Sequence, residues 1–253
     1  MARKLDRIGL QLYTVRKEME QDLEGTLAAV ADIGYEEVEF AGYFGRAAEE
    51  IRSLLDRLGL DSPSSHVGTE DIRGKLQKSI DDALAIGNRY LTCAFLPPQE
   101  RENLDDYKSI AELFNQAGEA CRVSGIQFCY HNHDFEFAAL EGKVPYDTLL
   151  VETDAELVKM QMDLYWITKG GQEPLHYFAR YPGRFPSLHV KDMDDTAKGD
   201  TTEVGSGVID FAEIFARADE AGTKHFFVEQ EHYRSSPLEA TRVSFDYLRQ
   251  LEF

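Results

Sequence analysis

Residues 128–137 read FCYHNHDFEF, an apolar run that ends in His131, Asn132, His133, Asp134 and Glu136. Side chains on a strand alternate between its two faces. His131 and His133 are therefore expected on one face, Asn132 on the opposite one and Glu136 just past the strand end. Such a cluster is expensive to pack and useful for chemistry. It matters only if other strands aim matching groups at the same place.

Upstream lies NLDDYKSIAELFNQAGEACRVSG, whose apolar residues recur at helical spacing and which closes on a glycine suited to a C-cap. The same alternation extends in both directions. Strand-like runs are expected at 7–15, 35–42, 60–67, 89–96, 126–133, 158–165, 185–193 and 224–232. Between them lie amphipathic stretches such as DLEGTLAAVADIG, RAAEEIRSLLDRLG and DIRGKLQKSIDDALAIG. A final helix, SPLEATRVSFDYLRQL, has Ser236 as N-cap and Pro237 in its first turn. Strands alternating with helices imply parallel strands joined by right-handed crossovers. Eight such units in 253 residues fit one (β/α)8 TIM barrel of the α/β class, spanning 1–253 as a single domain. A doubly wound open sheet is the alternative. It would usually carry a Gly-rich turn after the first strand, and LQLYTVRKEM contains no glycine.

Composition narrows the function. Lys and Arg number 27 against 46 Asp and Glu, a formal net charge of -19. That field repels nucleic acid and anionic membranes and concentrates divalent cations. It also disfavours phosphorylated substrates unless a local basic pocket overrides it. Cys93, Cys121 and Cys129 show no motif spacing and are expected as buried free thiols. MARKLDRIGL has basic residues without an apolar stretch behind them, so it does not read as a secretory signal. No run approaches membrane-spanning length, and a cytoplasmic protein is expected.

The ends of barrel strands carry the chemistry. Here those ends supply Gln11 and Tyr13, then Glu39, then His66. They continue with His131, His133 and Glu136, then Asp163, then His189, Lys191 and Asp192, and finally Glu229 and Glu231. The fourth strand, ending CAFLPP, contributes little. Asp163, His189 and Glu229 come from successive strands and form a mixed nitrogen and oxygen set. It suits Mn, Mg, Co or Zn, with His131 or Glu136 as a fourth ligand. Taken singly, a strand-end Asp more often caps the next helix and a lone His is more often structural. Convergence on one barrel mouth reverses that preference. Lys191 should face the same side as His189 and could hold an enolate oxyanion; an ion pair with Asp192 or Asp194 is the alternative.

With those residues in view, the chain resembles a known family. IGLQLYTVR, GYEEVEFAGY, SSH, YHNHDFEF, MDLYW, LHVKDMD, VGSGVIDF and VEQE are similar to segments of the xylose-isomerase-like TIM barrels, the sugar isomerase/epimerase superfamily. The resemblance runs from residue 7 to residue 253 and covers every strand in order. It implies one divalent metal ion, commonly Mn, held by Glu, Asp, His and Glu, with Asp163, His189 and Glu229 matching the last three. The first Glu is replaced by His131. Either His131 ligates as a neutral imidazole, or the role passes to His133 or Glu136. The related nucleases carry a further metal-binding His three residues after the Asp, where this chain has Trp166.

By that resemblance Glu229 is the general base and His131 the metal ligand or acid–base partner. Gln11, Tyr13, Glu39, His66, His133, Glu136 and Trp166 are expected to bind substrate, with Glu136 swinging over the pocket to a substrate hydroxyl. Trp166, Tyr13, Tyr43 and Phe44 could stack on a sugar face. In the long loop 194–211, VGSG could cradle a phosphate but more simply shapes a turn before a helix capped by Asp210. An unphosphorylated sugar or cyclitol is therefore expected as the small-molecule partner, with no nucleic acid and no membrane; a homo-oligomer is left open. The leading function is a metal-dependent isomerase or epimerase of such a sugar or keto-sugar. A lyase or dehydratase acting on an inosose or 3-keto-glycoside is the alternative, and a non-catalytic sugar-binding barrel the third.

Overall fold

The computed structural model describes residues 2–253. Strands β1 (Gly9–Gln11), β2 (Glu37–Phe40), β3 (Asp61–Val67), β4 (Tyr90–Cys93), β5 (Gln127–His131), β6 (Val158–Asp163), β7 (Ser187–Val190) and β10 (His225–Val228) close into a parallel barrel. Their order is β1-β10-β7-β6-β5-β4-β3-β2, so every strand pairs with its sequence neighbours and β10 meets β1. Each expected run contains its strand. The strands are shorter than the apolar runs, because the last residues of a run often leave the ladder. Tyr13 lies on a 3-10 turn, Leu12–Val15, and not on β1.

Helices α1 (Arg16–Gln21) and α2 (Leu23–Ile33) follow β1, and α3 (Ala48–Leu58), α4 (Thr69–Ile86) and α5 (Leu104–Val123) follow the next three strands. α6 (Pro145–Glu152) follows β5, and α7 (Leu164–Lys169) and α8 (Pro174–Arg180) follow β6. The antiparallel hairpin β8 (Asp192–Met193) and β9 (Thr201–Thr202) leads to α9 (Phe211–Ala216) and α10 (Ala218–Ala221). α11 (Pro237–Gln250) closes the ring, with Ser236 accepting from the Glu239 amide and Pro237 opening its first turn. No helix among the described residues is long and apolar enough to cross a membrane. Cys93, Cys121 and Cys129 are buried and free.

Two features of β5 fix the geometry of the mouth. Phe128 and Tyr130 pack on Phe114 of α5, with ring centroids 5.3 and 5.1 Å apart. Their outward aim turns Cys129 and His131 into the barrel. Asn132, next in line, accepts from the Asp163 amide at 3.1 Å and so ties the end of β5 to the end of β6. Inside the barrel, polar side chains replace much of the usual branched aliphatic filling. Ser64 and Thr92 share a hydrogen bond, and Gln161 reaches Glu39 and Ser187.

Candidate active site

A cavity of about 460 Å³ opens at the C-terminal ends of the strands. Glu229, Lys191, His131 and His133 form its polar wall, and Tyr13, Phe95 and Trp166 its aromatic one. Register explains the convergence. Asp163 on β6 lies beside His189 on β7, and His189 lies beside Phe227, two residues before Glu229. Four ligand-type atoms, one each from His131, Asp163, His189 and Glu229, lie within 4.8 Å of one another. All four residues are buried.

The polar contacts around this set are asymmetric. His189 is gripped on both ring nitrogens: Nε2 is 2.6 Å from Glu39 Oε2, and Nδ1 is 2.9 Å from Glu229 Oε2. Burial alone would lower its pKa, but those two carboxylates outweigh it and lift it to about 10. Glu39 also accepts from Gln11 at 2.6 Å and from Gln161 at 2.7 Å. His66 lies 2.8 Å from Gln161 Oε1 through Nε2. Burial would raise the Glu39 carboxyl, yet His66 and His189 hold it well below the carboxylate range.

Lys191 extends into the same space with its ammonium 2.9 Å from Glu231, 3.1 Å from Glu229 and 3.5 Å from Asp163. These carboxylates overcome the burial penalty and keep Lys191 protonated well above its ordinary range. Lys191 therefore pairs with neither Asp192 nor Asp194. Burial would raise Glu229, but Lys191 and His189 pull it well below its ordinary value, so it stands ionised. Burial raises Asp163 to about 6. His131 is pushed well below its ordinary value by burial and by its neighbouring imidazoles, and His133 to about 3 by burial and Lys191. Both are neutral.

Several buried polar atoms here have no hydrogen-bond partner: Asp163 Oδ2, which has only the 3.5 Å ion pair with Lys191, and His131 Nδ1, His133 Nδ1 and Trp166 Nε1. Unpaired buried groups are costly and rare. Asp163 Oδ1, by contrast, caps α7 by accepting from the Trp166 amide at 2.8 Å. Asp163 thus serves as helix cap and as a free donor atom at once. The donor set of two imidazoles and two carboxylates, one oxygen of it orphaned, fits a divalent metal, which on binding would displace the proton that His189 Nδ1 shares with Glu229.

The expected site residues divide. Tyr13, His66, His131, His133, Trp166, Lys191 and Glu229 line the cavity. Gln11 and Glu39 are fully buried behind it and orient His189 and His66 rather than facing the open space. Glu136 is placed elsewhere. Its carboxylate accepts from the Tyr130 hydroxyl and, at 2.8 Å, from the His133 amide, and it is fully buried on the helix side of β5. It follows Tyr130 outward because the chain turns immediately after the strand. Glu231, expected with Glu229 at the end of the last barrel strand, lines the cavity as well. Phe95, just past β4, stands edge-on to His133 at 5.2 Å, so the fourth strand end does contribute.

The glycine-rich turn of the long loop is already occupied by protein. Asp192 accepts from the amides of Gly205 and Gly207 at 2.9 Å, Ile209 at 3.2 Å and Met193 at 2.9 Å. The turn leads, as expected, to a helix capped by Asp210, which accepts from the Glu213 amide at 3.0 Å.

The family model described as xylose isomerase-like TIM barrel matches residues 27–251. An inosose dehydratase from Geobacillus kaustophilus is 23% identical over 266 residues, covering 89% of this chain and 86% of that protein. A crystal structure of a sugar phosphate isomerase/epimerase from Parabacteroides distasonis superposes with a TM-score of 0.83 at 29% identity, over 96% of this chain and 93% of that one. The 3-keto-D-glucoside 4-epimerase of E. coli has a TM-score of 0.73 over 97% and 99% of the chains; at 16% identity it shows the fold alone.

Proposed function

This chain belongs to the xylose isomerase-like TIM barrel family, and from that premise we propose that it removes a proton beside the carbonyl of an unphosphorylated keto-sugar or keto-cyclitol and expels a β-oxygen. The observation that carries the reading is the buried Lys191 ammonium set among Glu229, Asp163 and Glu231 on the wall of an open cavity. A cation held there meets negative charge as it develops on a substrate oxygen. His131, Asp163, His189 and Glu229 would hold a divalent metal, and such an ion polarises a carbonyl.

The chain's own groups account for the remaining work. Glu229 is ionised and takes the proton from carbon. The C–H electron pair becomes a double bond, the C–O bond to the β-oxygen breaks, and that oxygen leaves after taking up a proton. His133 Nδ1 and Trp166 Nε1 offer unpaired polar positions to substrate hydroxyls. Glu39 and Gln11 keep the imidazole of His189 in place. The Asp192 carboxylate in the glycine-rich turn supports an unphosphorylated substrate, since a phosphate would have to displace it. Elimination is favoured over isomerisation or epimerisation by His131: a neutral imidazole stands where the family resemblance expects a second carboxylate.

The test is incubation of the Mn-loaded protein with an inosose in deuterated water, followed by mass spectrometry. Elimination releases water. Epimerisation or isomerisation conserves mass apart from deuterium uptake at carbon. Neither deuterium uptake nor water loss, across inososes and keto-sugars, would remove the proposal.

A further inference from the structure

We propose that the barrel mouth contains a second metal position overlapping the first, made by the imidazoles of His66, His131 and His189, which takes an ion of the Zn, Co or Ni type. This rests on the reading above that His131, Asp163, His189 and Glu229 hold a divalent metal. It adds a ligand from another strand and names the class of ion which that ligand favours.

One ring nitrogen each from His66, His131 and His189 lie within 4.8 Å of one another. The three residues come from β3, β5 and β7. His66 stacks on His189 with centroids 5.4 Å apart, and His131 lies 4.5 Å from His189 and 5.5 Å from His66. Barrel interiors are ordinarily filled by branched aliphatic side chains, so packing does not call for three imidazoles in contact. His66 and His131 also line the open cavity, which gives an ion a route in.

The surrounding hydrogen bonds suit ligation. His66 Nε2 is 2.8 Å from Gln161 Oε1 and 3.1 Å from Glu39 Oε2, and His189 Nε2 is 2.6 Å from the same Glu39 oxygen. A metal-binding imidazole commonly has its other nitrogen held by such an oxygen, which fixes the ring. The Gln11 amide nitrogen is 3.4 Å from both nitrogens of His66 and so favours neither. His131 Nδ1 has no hydrogen-bond partner at all. His131 is the decisive member, because a carboxylate there would leave only two imidazoles.

The donors choose between ions. Imidazole suits Zn, Co and Ni, whereas carboxylate oxygens suit Mn and Mg. The Lys191 ammonium lies 3.1 Å from Glu229 and 3.5 Å from Asp163, so it opposes an ion drawn between those carboxylates. That opposition falls most heavily on the harder ions, which depend on carboxylates most. Both positions use His189, so displacing its proton costs the same in each.

Calorimetric titration of the chelator-stripped protein with Zn(II) and Mn(II) salts, Zn(II) against a competing chelator, separates the two positions without turnover. Loss of an outer partner of a ligand costs about 10–100-fold in metal affinity, so loss of the ligand itself in His66→Ala should weaken Zn(II) by about a hundredfold. Mn(II) should change by less than about threefold, because its oxygen donors remain. A merely structural role for His66 would weaken both ions alike. Asp163→Ala should act in the opposite sense and cost Mn(II) more than Zn(II). Circular dichroism checks folding, and His66→Gln, which keeps a polar group beside Gln161, decides the matter if His66→Ala does not fold. The inference is overturned if Zn(II) affinity is unchanged in a folded His66 variant, or if both ions weaken together. Mn(II) binding undiminished in Asp163→Ala, with Zn(II) still lost on changing His66, would instead keep the three-imidazole position and remove the four-residue one.

Discussion

Replacing Glu136 by Gln is expected to stabilise the protein, and increasingly so as pH rises. Burial lifts the Glu136 carboxyl to about 8 from an ordinary 4.5, against the lowering pull of Tyr130 and of the His133 amide. A folded pKa above the unfolded one means a contribution fully present below about pH 4.5 and lost as pH rises through 8. At about 1.4 kcal/mol per unit, the loss over that window is about 5 kcal/mol, of which about 3 kcal/mol has gone by pH 7. A carboxamide has nearly the same shape and does not titrate. Its nitrogen must face one of the two groups that now donate to Glu136, and turning the Tyr130 hydroxyl to accept costs about 1 kcal/mol. The net gain should be about 2 kcal/mol at pH 7 and about 4 kcal/mol near pH 8.5, vanishing toward pH 5. Urea unfolding of both proteins across this range measures the difference. Parallel pH profiles, or a Gln variant less stable throughout, would refute the reasoning. Substrate affinity should change little, because the carboxylate does not reach the cavity.

Asp163→Ala should lose most of its divalent metal on dialysis, read by elemental analysis; undiminished metal content would remove Asp163 from the ligand set. The same change uncaps α7 and should cost about 1 kcal/mol. Lys191→Met should abolish deuterium exchange and cost about 3 kcal/mol near neutral pH, where it leaves buried carboxylates uncompensated. Loss of the ammonium raises the folded pKa of those carboxyls, so the deficit should shrink as pH falls; a pH-independent deficit would contradict this. Asp192→Ala removes the acceptor of four amides and should cost about 3 kcal/mol, with faster proteolysis within 194–211. DNA containing abasic sites should not be incised at physiological salt, given the net charge of -19 and Trp166 in place of a further histidine; metal-dependent incision by pure protein would overturn that expectation.

How far the site could be read from the sequence depended on where the strand period stops. Within β5 the alternation rule holds: Phe128 and Tyr130 pack outward and His131 turns inward. Past His131 the chain leaves the ladder, and period two no longer says where a side chain goes. Glu136 therefore follows burial and hydrogen bonding, not parity, and ends beneath Tyr130. Gln11 and Glu39 were legible as strand-end polar groups, but sequence spacing carries no depth. Only the barrel's shear decides that Glu39 supports His189 from behind while His66 reaches the cavity. The short helices α6 to α8 lie in segments too brief to establish a helical period, and two of them open on Pro145 and Pro174.

Lys191 and Asp192 show how backbone geometry settles what composition leaves open. Adjacent opposite charges invite an ion pair, yet consecutive residues in extended chain point to opposite sides. Lys191 therefore turns inward to Glu229, Glu231 and Asp163, while Asp192 turns outward into the amides of the glycine-rich turn. One alternation thus has two consequences. It leaves an ammonium where charge would develop on a substrate oxygen, and it fills with protein the turn that would otherwise hold a phosphate. A chain that placed Lys191 and Asp192 on the same side would have neither the cation in the cavity nor a filled turn. The proposed preference for an unphosphorylated keto-sugar therefore depends on this residue pair as much as on the metal-type ligands beside it.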